Sequence, residues 1–192
     1  MMVRLRVGGP HCRRVRPVTS LEIVLSVIGA ALLFWIVGAY NRLVRLRGAI
    51  VRQFVPVELQ LTQREGLLLQ QLDALAPALP NAVPRLDALR AACRQCHAAS
   101  LHARVRPGAA GAIASLRLAE DIVGEARARL PVQAVAGLDL AALNAQLGAA
   151  DTTLAFARHQ FNHAVTEYND AVRQFPTALI VGLFGFRVAG TF

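Results

Sequence analysis

Residues 143–175 read LNAQLGAADTTLAFARHQFNHAVTEYNDAVRQF, and one seam runs through them. Leu143, Leu147, Ala150, Leu154, Ala157, Phe161, Ala164, Tyr168, Ala171 and Phe175 follow alternating spacings of four and three. That alternation is a heptad seam, the mark of an α-helix that packs one face along other helices. From Ala150 onward one seam position per heptad is alanine, so a neighbouring helix can approach closely. Val165 and Val172 widen the apolar face. The stretch predicts a long helix from about Asp139 to Phe175, closed by Pro176, in an antiparallel helical bundle.

Shorter stripes with the same period lie upstream. Leu43, Leu46, Ile50, Phe54, Val57, Leu61, Leu68, Leu72 and Leu75 follow helical spacing, with Pro56 inside them. Pro56 lacks an N–H and is expected to kink that helix. The segment Ala76–Asn81 breaks it. A second helix is expected from about Pro84 to Arg104, with the stripe Leu86, Leu89, Cys93, Cys96 and then Ser100 or Ala103. A third carries Ile113, Leu116, Val123 and Leu130 before Pro131. Alanine, leucine and arginine dominate the composition, which suits helices.

The apolar run Leu21–Tyr40 contains a single acid, Glu22, at its edge. Twenty helical residues cover about 30 Å, the thickness of a bilayer's hydrocarbon core. Trp35 and Tyr40 lie toward its distal end, where amphipathic aromatics favour the interface. A cleaved signal peptide is disfavoured by the length of the run and the lack of a small-x-small cleavage site. The same length argues against a twin-arginine signal at Arg13-Arg14.

All 21 basic residues are arginine, and the net charge is +9. Residues 1–52 hold nine arginines and one glutamate, whereas residues 53–192 hold twelve arginines and eleven acids. The excess therefore flanks the apolar run. Anionic headgroups attract such arginines by about 1 kcal/mol each, so a lipid bilayer is the expected partner and nucleic acid is not. Residues 1–17 share neither the composition nor the pattern of the rest, and translation is expected to begin near Val18. Arg42, Arg45, Arg47 and Arg52 then place the following domain in the cytoplasm by the positive-inside rule.

The expected organisation is an extension over residues 1–20, a transmembrane helix over 21–40, a helical bundle over 41–176 and an apolar tail over 177–192. The fold class is all-α, with an N-terminal transmembrane helix and an antiparallel bundle of three to four helices. The tail segment Leu179–Phe186 is too short to span a bilayer and too apolar for comfortable solvation. It is expected to meet lipid or a partner protein and not to pack on the bundle.

Several of these residues resemble the LemA family. The resemblance rests on the N-terminal membrane helix, on Tyr40-Asn41-Arg42-Leu43-Val44-Arg45-Leu46-Arg47, and on a last helix with repeated aromatic–Asn pairs. Those pairs are Phe161-Asn162 and Tyr168-Asn169, beside Tyr40-Asn41. Arg158, the Phe175-Pro176 break and the Leu183-Phe184-Gly185-Phe186 ending complete the likeness. The match is good over about residues 21–64 and 150–186. The family's Asp-Leu-Ile-Pro-Asn-Leu-Val stretch is replaced here by Gly66–Leu72. The resemblance implies a divergent member and no haem. Asn162 and Asn169 lie one heptad apart beside the seam, and are expected to hydrogen-bond across helices and fix their register.

Two patterns could carry chemistry. Cys93-Arg94-Gln95-Cys96-His97 spells the attachment pattern of c-type haem, two thiols one helical turn apart with an adjacent axial histidine. Its thiols fall on an apolar stripe, where reduced cysteine is a small core residue. His159 and His163 are four apart and, with Cys93 and Cys96, could in principle share a zinc ion. His97 and His102 are further candidates. No nucleophile elbow, P-loop, dinucleotide fingerprint or paired-carboxylate constellation occurs. The expected function is non-enzymatic and cofactor-free: scaffolding or protein interaction at a bacterial inner membrane, through an unidentified membrane or cytoplasmic protein, with a homo-oligomer allowed. The competing reading is a membrane-anchored electron carrier with covalent haem at Cys93 and Cys96.

Overall fold

The computed structural model describes residues 19–130, 140–175 and 177–192. The expectations for residues 1–17, for the helix start near Asp139 and for Pro131 and Pro176 lie outside the described residues. All the regular structure described is helical: α1 (Ser20–Leu75), a 3-10 turn (Pro80–Ala82), α2 (Val83–Val105), α3 (Ala110–Ala128), α4 (Ala141–Arg173) and α5 (Thr177–Phe184). The chain divides into two units, one ending at Val37 and one spanning Gly38–Phe192.

In the first unit, the Thr19 N–H donates to Glu22 Oε2 at 3.2 Å. This is the backbone half of a capping box, in which a glutamate three residues on satisfies a donor the helix start leaves free. Leu21, Leu25, Ile28, Leu32 and Phe34 are all exposed. α1 is long and apolar enough to cross a membrane.

The second unit is a four-helix bundle. Arg104, His97 and Arg90 of α2 meet Glu58, Glu65 and Asp73 of α1, so numbers fall on one helix as they rise on the other. The pairs Phe54–Phe161, Arg64–Asp151 and Gln71–Asn144 set α4 antiparallel to α1 in the same way. Glu120–Arg158 and Arg127–Asp151 set α3 antiparallel to α4. The expected antiparallel bundle is thus built from four helices, running up, down, up and down.

The core follows the seams. Leu43, Ile50, Phe54, Val57, Leu61, Leu68, Leu72 and Leu75 of α1 are buried. Pro56 lies inside α1 and removes one hydrogen bond without ending the helix. Its ring is exposed, while Phe54 and Val57 on either side are locked in the core. In α4, Leu147, Ala150, Leu154, Ala157, Phe161, Ala164, Tyr168 and Ala171 are buried. Phe175 departs from the seam expectation, for it is 77% exposed. Gln174 has already left helical geometry with a ψ of 128°, so the heptad register has no meaning one residue later.

Tight α4 contacts give a direct expectation. Ala157→Leu or Ala164→Leu should lower bundle stability by about 1–3 kcal/mol through overpacking. Ala155→Leu, on the exposed side of the same helix, should change little. Equal denaturation midpoints for all three would show that the seam is misassigned.

Charged residues are also drawn between the helices. Asp151 accepts from Arg64 at 2.6 Å and from Arg127 at 3.1 Å. Glu120, buried in α3, accepts from Arg158. Burial, together with nearby Arg64, pushes the Arg158 guanidinium below its usual pKa. Breaking the Glu120–Arg158 pair singly leaves Glu120 buried and uncompensated, whereas the Asp151 pairs are half-exposed and weaker; together they favour one register of α1, α3 and α4.

Candidate functional site

Two carboxamides on α4 hold the C-terminal tail. Asn169 Nδ2 donates to the Ala189 carbonyl at 3.0 Å, and the Ala189 N–H donates back to Asn169 Oδ1 at 2.8 Å. Asn162 repeats the exchange on Phe192, at 3.4 Å to the carbonyl and 2.8 Å from the N–H. A carboxamide presents donor and acceptor side by side, so each asparagine pairs with one tail residue as a neighbouring strand would. A heptad of helix advances about 10.5 Å, and three residues of extended chain cover about 10 Å. Side chains one heptad apart therefore meet backbone groups three residues apart. The tail runs antiparallel to α4.

Further contacts complete the clamp. The Tyr168 hydroxyl donates to the Arg187 carbonyl at 3.0 Å. Burial pushes this phenol above its ordinary pKa, with nearby Arg47 opposing the shift. The Phe192 ring packs edge-on against Phe161 at 5.3 Å, and Phe161 against Phe54 at 5.9 Å. The Arg158 guanidinium stands 5.5 Å from the centre of the Phe192 ring. Gly190 donates its N–H to the Gly108 carbonyl at 3.4 Å. A Cβ on Gly190 would lie 2.6 Å from Ala110 Cα, so only glycine lets the tail lie against the start of α3.

α5 leads into this clamp through a glycine turn. Gly185 has a φ of 67°, and the Phe186 N–H donates to the Val181 carbonyl at 3.2 Å. That is the six-to-one bond of a Schellman cap, which glycine in the left-handed region permits. Phe184 and Phe186 both pack on Tyr40, with ring centres 5.2 and 5.9 Å away. Arg42 donates to Gln174 Oε1 at 3.3 Å.

The LemA family model matches residues 111–192. The likeness read from the aromatic–Asn pairs is thereby shown over α3, α4, α5 and the tail, which contain both the clamping asparagines and the backbone they hold. In this LemA-type segment each aromatic–Asn pair divides its work, with the aromatic in the core and the asparagine on the tail. No curated protein and no solved structure matches the chain.

The clamp corrects two expectations. Asn162 and Asn169 do not bridge helices; they face backbone that returns after α5. Residues 186–192 pack on the bundle and do not project from it, Ala189 being buried, because their backbone groups find partners there. Only α5 keeps the expected exposure, at Leu179, Leu183 and Phe184. Of the remaining LemA-like residues, Arg158 pairs with buried Glu120, Arg47 approaches Tyr168, and Asn41 is exposed. A heptad-spaced pair of asparagines opposite a Phe-Gly-Phe turn was the signal in the sequence for this arrangement.

The Cys-x-x-Cys-His residues stand elsewhere, between α1 and α2. Cys93 is 2% exposed and Cys96 9%, and the pocket beside them measures about 20 Å³. That is space for about one water, and a haem macrocycle does not fit it. His97 points to Glu65, with Nδ1 2.9 Å from Oε2. His159 and His163 are exposed, so the structure does not bring them to the buried thiols. Among the described residues no group of His, Cys, Asp and Glu is arranged to hold a metal.

Burial raises both thiols, Cys96 to about 11. The thiolate is the reactive form. In a Cys12→Ser protein at pH 8, iodoacetamide should label Cys93 and Cys96 slowly when folded and promptly in denaturant. Prompt labelling of folded protein would mean that this helix face is open.

Proposed function

We propose that the chain is a single-pass membrane protein whose helical bundle serves as a scaffold for another protein, without catalysis. In this reading α1 crosses a bacterial inner membrane over residues 21–40, and Arg42, Arg45, Arg47 and Arg52 keep the bundle in the cytoplasm.

The observation that supports it most is the contrast within residues 177–192. The last seven residues are tied down by side chains on α4, whereas α5 displays Leu179, Leu183, 84% exposed, and Phe184. The Tyr40–Phe184 and Tyr40–Phe186 contacts hold this apolar helix at the residue where the membrane run ends. Exposed apolar side chains on a fixed helix are a contact surface. No observation favours the haem carrier over this reading.

A photo-crosslinking residue at position 183 in native membranes tests the proposal. Discrete protein adducts from position 183, absent from exposed position 94, are the expected result. Adducts to lipid alone would overturn the scaffold reading and leave α5 as a bilayer anchor.

A further inference from the structure

We propose that a cleft of about 480 Å³, lined by α1, the α2–α3 connection and the tail, binds a phosphate ester through Arg47, Arg106 and Arg187. Three elements remote in sequence each contribute one arginine, and no acidic residue lines the cleft. Arg64, Arg90, Arg104, Arg127, Arg129 and Arg158 all meet carboxylates. Among the described residues Arg47, Arg106 and Arg187 form no ion pair, as is also true of Arg42, Arg45, Arg52, Arg85, Arg94, Arg117 and Arg173; what sets the three apart is that they border one cleft. Three arginines border one space, and an anion bound among them relieves the repulsion of their like charges.

Chemistry narrows the anion. Guanidinium forks match the paired oxygens of phosphate and hold them bidentately. The cleft lies in the size range of small-molecule sites, larger than inorganic phosphate needs. Ile50, Val51, Val105 and Val188 supply an apolar wall for an organic body. Ala109 and Ala110, at the start of α3, also line it, and α3 has no side-chain cap there. Its positive end adds to the field that the arginines set up.

Two sources share this chemistry. Arg47 lies about 10.5 Å along α1 from Tyr40, within reach of a phospholipid headgroup if Tyr40 sits at the interface. A soluble ester such as glycerol phosphate offers the same group. The lipid source rests on the membrane reading above; the soluble source does not.

The test uses the full chain in neutral detergent and in nanodiscs. One arm measures retained phosphatidylglycerol by native mass spectrometry, with phosphatidylcholine as the neutral comparison. The other titrates sn-glycerol 3-phosphate by calorimetry. Both compare the natural protein, R106Q/R187Q, and R94Q/R117Q, which removes equal charge from exposed positions on α2 and α3. Hydrogen exchange at the Ala189 amide checks that the tail stays docked in each variant. Binding should weaken at least tenfold in R106Q/R187Q and stay unchanged in R94Q/R117Q. Loss confined to the phosphatidylglycerol arm assigns a lipid headgroup, and loss in the glycerol phosphate arm a soluble ester; either supports the site. No binding in either arm, or equal weakening in both double variants, overturns it.

Discussion

Phe161→Ala should be the most damaging single truncation in α4, lowering bundle stability by about 3–5 kcal/mol. Phe161 is fully buried and touches Phe54 on α1 and Phe192 in the tail, so its loss opens a cavity where three elements meet. Little can fill that space, because the adjoining seam positions are Ala157 and Ala164, both buried. At this chain length a loss of 3–5 kcal/mol corresponds to a fall in melting temperature of roughly 6–20 °C. Phe156, 64% exposed on the same helix, provides the comparison, and Phe156→Ala should shift stability by no more than about 0.5 kcal/mol. Thermal unfolding followed by far-ultraviolet circular dichroism in detergent reads both. Similar midpoints for the two variants would place Phe161 outside the core.

Asn162→Ala combined with Asn169→Ala should release the tail and leave the four helices folded. The double change removes four hydrogen bonds to the backbone of Ala189 and Phe192. At about 0.5–1.5 kcal/mol each, the docking free energy should fall by roughly 2–6 kcal/mol. The freed backbone groups regain water, so the loss stays local to the tail. Amide exchange at residues 189 and 192 should accelerate at least tenfold, with the α2 and α3 amides unchanged. Asn41→Ala is the informative control. It belongs to the same kind of aromatic–Asn pair, yet it is exposed and should leave tail exchange as it was. Unaltered protection at residues 189 and 192 in the double variant would mean that the asparagines do not hold the tail. Gly190→Ala should free the same segment by another route, through its clash with the Ala110 backbone.

The cysteine pattern shows how a motif can be legible and its meaning not. Thiols one helical turn apart beside a histidine suit haem attachment and an apolar core stripe equally well. Burial of both thiols and a pocket of about 20 Å³ separate the two. Spacing along a helix says which side chains share a face, but not how much room that face is left by its neighbours.

The sequence by itself determined the helices, the apolar run and the seam, because each is a periodic property of a single segment. Ala150 through Ala171 had to face a partner wherever that partner came from. It also contained both halves of the clamp, in the heptad of Asn162 and Asn169 and in the Gly185 turn. Only the tertiary structure decided that they meet. A side chain's position on a helix follows from local geometry, whereas its partner depends on where a segment some 20 to 30 residues later returns. That return required α5 to turn at Gly185 and Gly190 to clear Ala110. Phe175 marks the same boundary from the other side: the seam reaches it on paper, but the backbone had already left the helix at Gln174.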